Sequence, residues 1–160
     1  MQTGNNYEEL HKPMQWVFDG SEKDFEENVF ENIDQICDCL SLPKITVIER
    51  QRSIKADNFQ IRPDILVRHE DGSMTVFEVK KINGKTPATS GHEQVAGIGQ
   101  LLLYGNVLSA LINAPVRLAL IDNKINYRTF CCFGQYKLPI TLLELQKDRL
   151  FVPYYGWDQE

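Results

Sequence analysis

Residues 60–69 and 73–81 are two runs rich in isoleucine, valine and phenylalanine, parted by Asp71-Gly72. An Asp-Gly step between such runs predicts a tight β-hairpin, since glycine takes the positive φ of the turn and aspartate closes it through its side chain. Two strands alone cannot bury an apolar face, so other elements must cover this pair. Residues 44–52, also rich in β-branched residues, predict a third strand just before it.

Ser21 followed by Asp24 reads as a helix cap, and Phe25, Val29, Ile33, Ile36 and Leu40 recur at helical spacing. A helix is therefore expected from residue 22 to about Leu40, ended by Pro43. Residues 1–20, with Trp16, Val17 and Phe18, read as a loosely docked lead-in. Gly84, Pro87, Thr89, Ser90 and Gly91 predict a flexible loop over 81–91. A second long helix is expected over 92–113, a strand over 116–121 after Pro115, and another over 124–133 after Asp122-Asn123. Residues 138–150 read as a helix and 151–157 as an aromatic tail packed back on the sheet. The order is that of an α/β domain, a mixed central sheet flanked by helices.

Apolar residues make up 42% of the 160 and charged residues 24%, a globular composition in a chain long enough for one core. The densest apolar stretch, residues 97–112, is broken by Gln100, Asn106 and Ser109, too polar and short for a bilayer span. The first residues carry no basic start and apolar core, so no secretory leader and no membrane role are expected. Cys37, Cys39, Cys131 and Cys132 match neither a disulfide framework nor paired zinc spacing and are expected to be reduced, as in a cytoplasmic protein. Net charge is -5, yet Arg50, Arg52, Lys55, Arg62, Arg68, Lys80, Lys81 and Lys85 gather in one stretch that can face phosphates. The first helix, with Glu22, Asp24, Glu26, Glu27, Glu31, Asp34 and Asp38, is acidic.

Two of the strands carry polar residues in apolar surroundings: Ile61-Arg62-Pro63-Asp64-Ile65 and Phe77-Glu78-Val79-Lys80. Period-two geometry puts Glu78 and Lys80 on one face and Phe77 and Val79 on the other. The hairpin keeps Asp64 on the neighbouring strand, so two carboxylates and an ammonium can meet. Such a set suits a hard divalent cation, with carboxylate, carbonyl and water oxygens as ligands, and Lys80 is placed to orient water. On the first helix Glu26 lies on the apolar stripe, with Glu22 one turn earlier, and a carboxylate there needs a partner. On the second, Gln100 and Tyr104 stand four apart, with Gly97 allowing close approach.

Together these residues resemble the PD-(D/E)xK nuclease superfamily of restriction-type, RecB-type and NucS-type enzymes. The signature stands as Arg62-Pro63-Asp64, thirteen residues, then Glu78-Val79-Lys80. The resemblance implies a restriction-endonuclease-like α-β-β-β-α-β core over about 22–122, with 123–160 as a C-terminal accessory part of one domain spanning 1–160. It implies Mg²⁺- or Mn²⁺-dependent endo- or exonuclease activity on nucleic acid, DNA before RNA. By the same resemblance Asp64, Glu78, the Val79 carbonyl and Glu26 (Glu22 second) hold metal, Lys80 acts on the water, and Gln100 and Tyr104 match the Gln-x-x-x-Tyr of RecB-like and NucS-like members. A homodimer or a partner subunit is compatible with so small a domain. Two other readings stand beside it: a catalytically silent nuclease-fold protein that binds nucleic acid or protein, and an unrelated α/β domain whose charges are solvated.

Overall fold

A computed structural model describes residues 2–4, 20–81, 87–147 and 149–157. The lead-in with Trp16, Val17 and Phe18, and residues 82–86 of the expected loop, lie outside the described residues. The chain enters at a sheet edge with β1 (Gln2–Gly4). Ser21 accepts the Asp24 N–H and Asp24 accepts the Ser21 N–H at 2.8 Å, a reciprocal cap that starts α1 (Glu22–Glu31). The single helix expected to reach Leu40 is divided at Asn32. Its side-chain amide donates to the Asn28 carbonyl at 2.8 Å and competes with the helical ladder, after which α2 (Ile33–Cys39) continues. Phe25, Val29, Ile33 and Ile36 are all buried.

β2 (Ile45–Arg50) is followed by a small separate hairpin, β3 (Ile54–Ala56) and β4 (Phe59–Ile61). The run at 60–69 is thus split: Pro63 has no N–H to give a ladder, and β5 (Ile65–His69) begins beyond it. Asp71 Oδ1 accepts the Ser73 N–H at 2.9 Å and Gly72 takes φ +86°, closing the turn into β6 (Met74–Val79). α3 (Pro87–Leu111) starts earlier than expected, at a proline suited to the first helical turn. β7 (Val116–Asp122) follows.

The last third corrects the sequence reading. Residues 124–133, expected as a strand, contribute to α4 (Tyr127–Tyr136), which Asn126 caps by accepting the Arg128 N–H at 2.9 Å. Residues 138–150, expected as a helix, form β8 (Ile140–Gln146) and enter β9 (Arg149–Tyr154). Leucines buried on both sides of β8 erase the alternation that marks a half-exposed strand. Of the expected aromatic tail, Phe151 to Tyr154 belong to β9, and Trp157 packs back through an indole N–H donated to the Leu118 carbonyl at 2.9 Å.

The fold is a mixed α/β core whose central sheet, in the order β1-β9-β8-β7-β6-β5-β2, is flanked by helices. β6, β7 and β8 run parallel, while β5 and β2 continue antiparallel on one side and β9 on the other. One face packs Ile65, Val67, Phe77 and Val79 against Phe25, Val29, Ile33 and Ile36 of α1 and α2. The other packs Leu66, Val76, Leu118 and Leu120 against Leu101, Tyr104 and Leu108 of α3 and Phe133 of α4. Each large apolar side chain so removed from water stabilises the fold by about 1.5–3 kcal/mol. Residues Gly91–Leu111 are long and apolar enough to cross a membrane by length and composition; here they lie across the sheet with Leu101 and Leu108 in its core.

Candidate active site

Asp64 stands one residue before β5, where the antiparallel ladder with β6 has ended. Its side chain takes over: Oδ2 accepts the Val79 N–H at 2.8 Å, and Oδ1 accepts the Gln51 side-chain amide at 2.7 Å. The carboxylate is thereby fixed against the end of β6. Glu78 and Lys80 both point to the α3 side, because Phe77 and Val79 take the alternate positions in the α1 core. A Cβ added at Gly97 would lie 3.2 Å from Lys80 Cε and 3.5 Å from Glu78 Cγ, so α3 closes directly over both side chains.

Glu78 is only 3% exposed, and Oε1 lies 3.7 Å from Lys80 Nζ. Burial pushes its carboxyl up to about 8; neighbouring Asp64 adds to the rise and the Lys80 ammonium opposes it. When protonated, Glu78 can donate to Asp64. When ionised, its Oε2 is buried and meets no donor among the described residues.

The two α1 carboxylates separate. Glu26 accepts the Gln51 amide at 3.3 Å and faces Arg50 Nη2 at 3.5 Å, so it reaches Asp64 only through Gln51. Glu22 is the α1 carboxylate in electrostatic reach of Lys80 and Asp64. Burial raises its pKa, opposed by the Lys80 charge and by the Lys81 N–H that it accepts. Lys81 Nζ in turn donates to the Gly20 carbonyl, tying the start of α1 to the end of β6.

On α3, Gln100 and Tyr104 do not share a buried face: Tyr104 is buried while Gln100 is exposed. The inward face instead carries Gln94, Gly97, Leu101, Tyr104 and Leu108. Burial, with Glu78 and Asp64 nearby, pushes the Tyr104 hydroxyl up to about 12, so it stays protonated and sits 3.5 Å from the Arg62 carbonyl. Asp64, Glu78, Lys80 and Tyr104 are thus brought together, Glu22 borders them, and Glu26 and Gln100 stand outside.

Gln51 is the residue that sequence reasoning missed. It follows β2 with φ +49°, its N–H donates to the Asp64 carbonyl at 3.1 Å, and its side chain bridges Asp64 and Glu26. No local pattern marks it, because the role depends on a left-handed backbone set by the tertiary fold.

The donor set fits a hard divalent cation: an open, buried Glu78 oxygen stands beside the Asp64 carboxylate. Among the described residues no three His, Cys, Asp or Glu side chains converge as a metal cluster. A cation here would rest on two carboxylates with backbone, water and substrate oxygens, as magnesium commonly does.

No family model matches the chain, and no curated protein matches it. Among solved structures, a repair endonuclease from Pyrococcus abyssi superposes with a TM-score of 0.48 at 14% identity over 82% of this chain. The matched region is 49% of that protein, so this chain spans about half its length.

Proposed function

We propose that this protein is a divalent-metal-dependent nuclease that hydrolyses phosphodiester bonds, of DNA before RNA. The observation that carries the reading is the buried Glu78 oxygen that meets no donor among the described residues, on a carboxyl that interacts with both Asp64 and Lys80. A buried carboxylate left open costs stability unless a cation or a proton meets it.

In this reading Asp64 and Glu78 hold Mg²⁺ or Mn²⁺, with the Val79 carbonyl as a further candidate ligand and the α1 carboxylates Glu22 and Glu26 in outer positions. The bound ion supplies Lewis acidity toward the phosphate and lowers the pKa of water. Gln51 and the Val79 N–H fix the Asp64 carboxylate, so it needs no reorganisation when substrate arrives. Lys80 Nζ, anchored beside Glu78, orients the attacking water and donates toward the phosphate oxygen that gains charge. Gly97 and Leu120 close the floor beneath it and keep bulk water away from the ammonium stem. The Tyr104 hydroxyl, held protonated, can donate a hydrogen bond beside the carboxylates.

A second reading, a silent nuclease-fold binding module, draws on the lack of a three-residue metal cluster among the described residues. One experiment separates the two. Purified protein with Mg²⁺ or Mn²⁺ is offered single-stranded, duplex and branched substrates, beside Asp64→Ala and Lys80→Ala. We expect cutting that chelator stops and that each substitution reduces by about a thousandfold or more, with the fold retained by circular dichroism. Cutting that survives both substitutions removes the assignment, and no cutting with any metal favours the binding module.

A further inference from the structure

Of the basic residues gathered over 50–85, several are absorbed by the fold or the site. Arg50 pairs with Glu27 at 2.7 Å, Arg62 donates to the Gln51 carbonyl at 2.9 Å, and Lys80 lies by Glu78. Arg52, Lys55 and Arg68 instead line one cleft of about 390 Å³, between the β3–β4 hairpin and the C-terminal part of α3. That volume lies in the range of ligand sites, roughly 300–1,000 Å³.

The rest of the lining is largely apolar: Ile54, Met74, Leu108, Leu111 and Ile112. Leu111 is 51% exposed, an apolar lining residue left to solvent. No acidic side chain among the described residues lines the cleft. The carboxylate within reach of its cations is Glu49, which faces Arg52 Nη1 at 2.5 Å and Arg68 Nε at 3.5 Å. Three cations against one carboxylate leave a positive excess, and Arg68 Nε is buried without a hydrogen-bond acceptor among the described residues. A lining that combines cations with apolar side chains matches a nucleotide, phosphate on the cations and base on the apolar side chains. The hairpin that forms one wall also carries Phe59, 59% exposed, a ready face for a neighbouring base.

The cleft adjoins the candidate active site through shared backbone. Arg52 directly follows Gln51, whose amide holds Asp64, and Tyr104, buried near Glu78, lies one helical turn before Leu108. We propose that this cleft binds an unpaired nucleotide of a single-stranded nucleic acid and leads that strand to Asp64 and Glu78. The inference rests on the nuclease reading for its direction, not for the binding itself.

The test is fluorescence anisotropy of a labelled oligothymidylate strand in EDTA, where no cutting occurs, against a duplex of the same length. The expected order is single strand tighter than duplex. Lys55→Glu should weaken single-strand binding by about tenfold and flatten its salt dependence by roughly one phosphate contact. Leu111→Ser should weaken it by about threefold with the salt slope unchanged. Circular dichroism checks that each variant folds. Wild-type affinity in Lys55→Glu, or a duplex bound as tightly as the single strand, overturns the proposal. A wild-type dimer that Leu111→Ser dissociates in sedimentation also overturns it, because a second copy then fills the cleft. Loss of binding in Lys55→Glu without any cutting by the wild type keeps the cleft and removes the nuclease reading. Cutting by the wild type with unchanged binding in Lys55→Glu does the reverse.

Discussion

At the ends of β7 and β8, Asp122 and Glu144 stand in register, 1% and 2% exposed. Asp122 accepts from the Asn123 N–H at 2.6 Å and from the Gln94 amide at 2.8 Å; Glu144 accepts from the Ile125 N–H at 3.0 Å and the Gln146 amide at 2.6 Å. Gln94 also accepts the Asn126 N–H at 2.9 Å, which joins α3, β7 and the cap of α4. Near the end of β6, one strand away, Glu78 is as deeply buried at 3%, yet one of its oxygens meets no donor among the described residues. Burial is the same in the two clusters, and the supply of donors is not. A polar cluster whose carboxylates are met by protein donors serves the fold, whereas an oxygen left open needs a proton or another group to meet it.

The largest effect should come from breaking the completed cluster. Glu144→Ala leaves the Ile125 N–H unpaired and the Lys124 ammonium, now 3.6 Å from that carboxylate, without it. Removing one partner of a buried pair costs about 3–5 kcal/mol. Denaturant unfolding should register a loss of that size. A loss under about 1 kcal/mol would mean that the cluster does not hold the sheet end together.

The open cluster should respond in the opposite direction. The Glu78 carboxyl has a pKa of about 8 in the fold against 4.5 when free. Between those values the folded state holds a proton that the unfolded chain has released, so stability falls as pH rises through 4.5 to about 8. Glu78→Gln removes this ionisation, and its amide can still donate to Asp64. In EDTA near pH 8 the variant should therefore be more stable than the wild type by on the order of a few kcal/mol, with no difference in acid. Magnesium should raise the wild-type melting temperature more at pH 8 than at pH 6 and leave Glu78→Gln nearly unmoved. Equal pH profiles for the two proteins would show that Glu78 is not the group whose ionisation opposes folding.

These contrasts were unevenly legible in the sequence. Asp64, Glu78 and Lys80 stand out because they lie in or directly beside strands buried on both faces, where any polar residue asks for a reason. The hairpin and the first cap were readable because Asp71, Gly72, Ser21 and Asp24 act through neighbours in the chain. Gln94 and Gln100 could not be told apart: α3 is apolar on most sides, so helical spacing does not reveal which glutamine turns inward. The last third misled for physical causes of the same kind. Phe130, Cys131, Cys132 and Phe133 have the composition of a strand, but Asn126 caps a helix whose inward positions are Thr129 and Phe133. β8 lies between β7 and β9 with both faces covered, so leucines follow one another as they do in a helix.

A smaller test concerns how closely α3 must approach the open cluster. In Gly97→Ala the added methyl meets Leu120 Cδ1 at 3.0 Å and Lys80 Cε at 3.2 Å, so one of them has to yield. Alanine favours the helix by about 1 kcal/mol, while overpacking costs about 1–3 kcal/mol. Stability should then change by no more than about 2 kcal/mol, and the damage should fall on cutting, through displacement of the Lys80 stem. Gly105 supplies a control on the same helix, since its added methyl would meet Leu118 Cδ1 at 2.8 Å, away from the carboxylates. Gly105→Ala should lose stability without a selective loss of cutting.

The smallest expected effect separates the ring of Tyr104 from its hydroxyl. The ring is part of the α3 core beside Leu101 and Leu108, and among the described residues the hydroxyl has one long contact, 3.5 Å to the Arg62 carbonyl. A bond of that length is at the limit of useful geometry, so Tyr104→Phe should change stability by less than about 1 kcal/mol. A hydroxyl pushed up to about 12 stays protonated near neutral pH, so the substitution removes a neutral hydrogen-bonding group and keeps the ring. Cutting at saturating metal should fall by no more than about threefold if that donor only borders the phosphate. A fall of about a hundredfold, with an unchanged melting temperature, would move Tyr104 from the wall of the site into its chemistry.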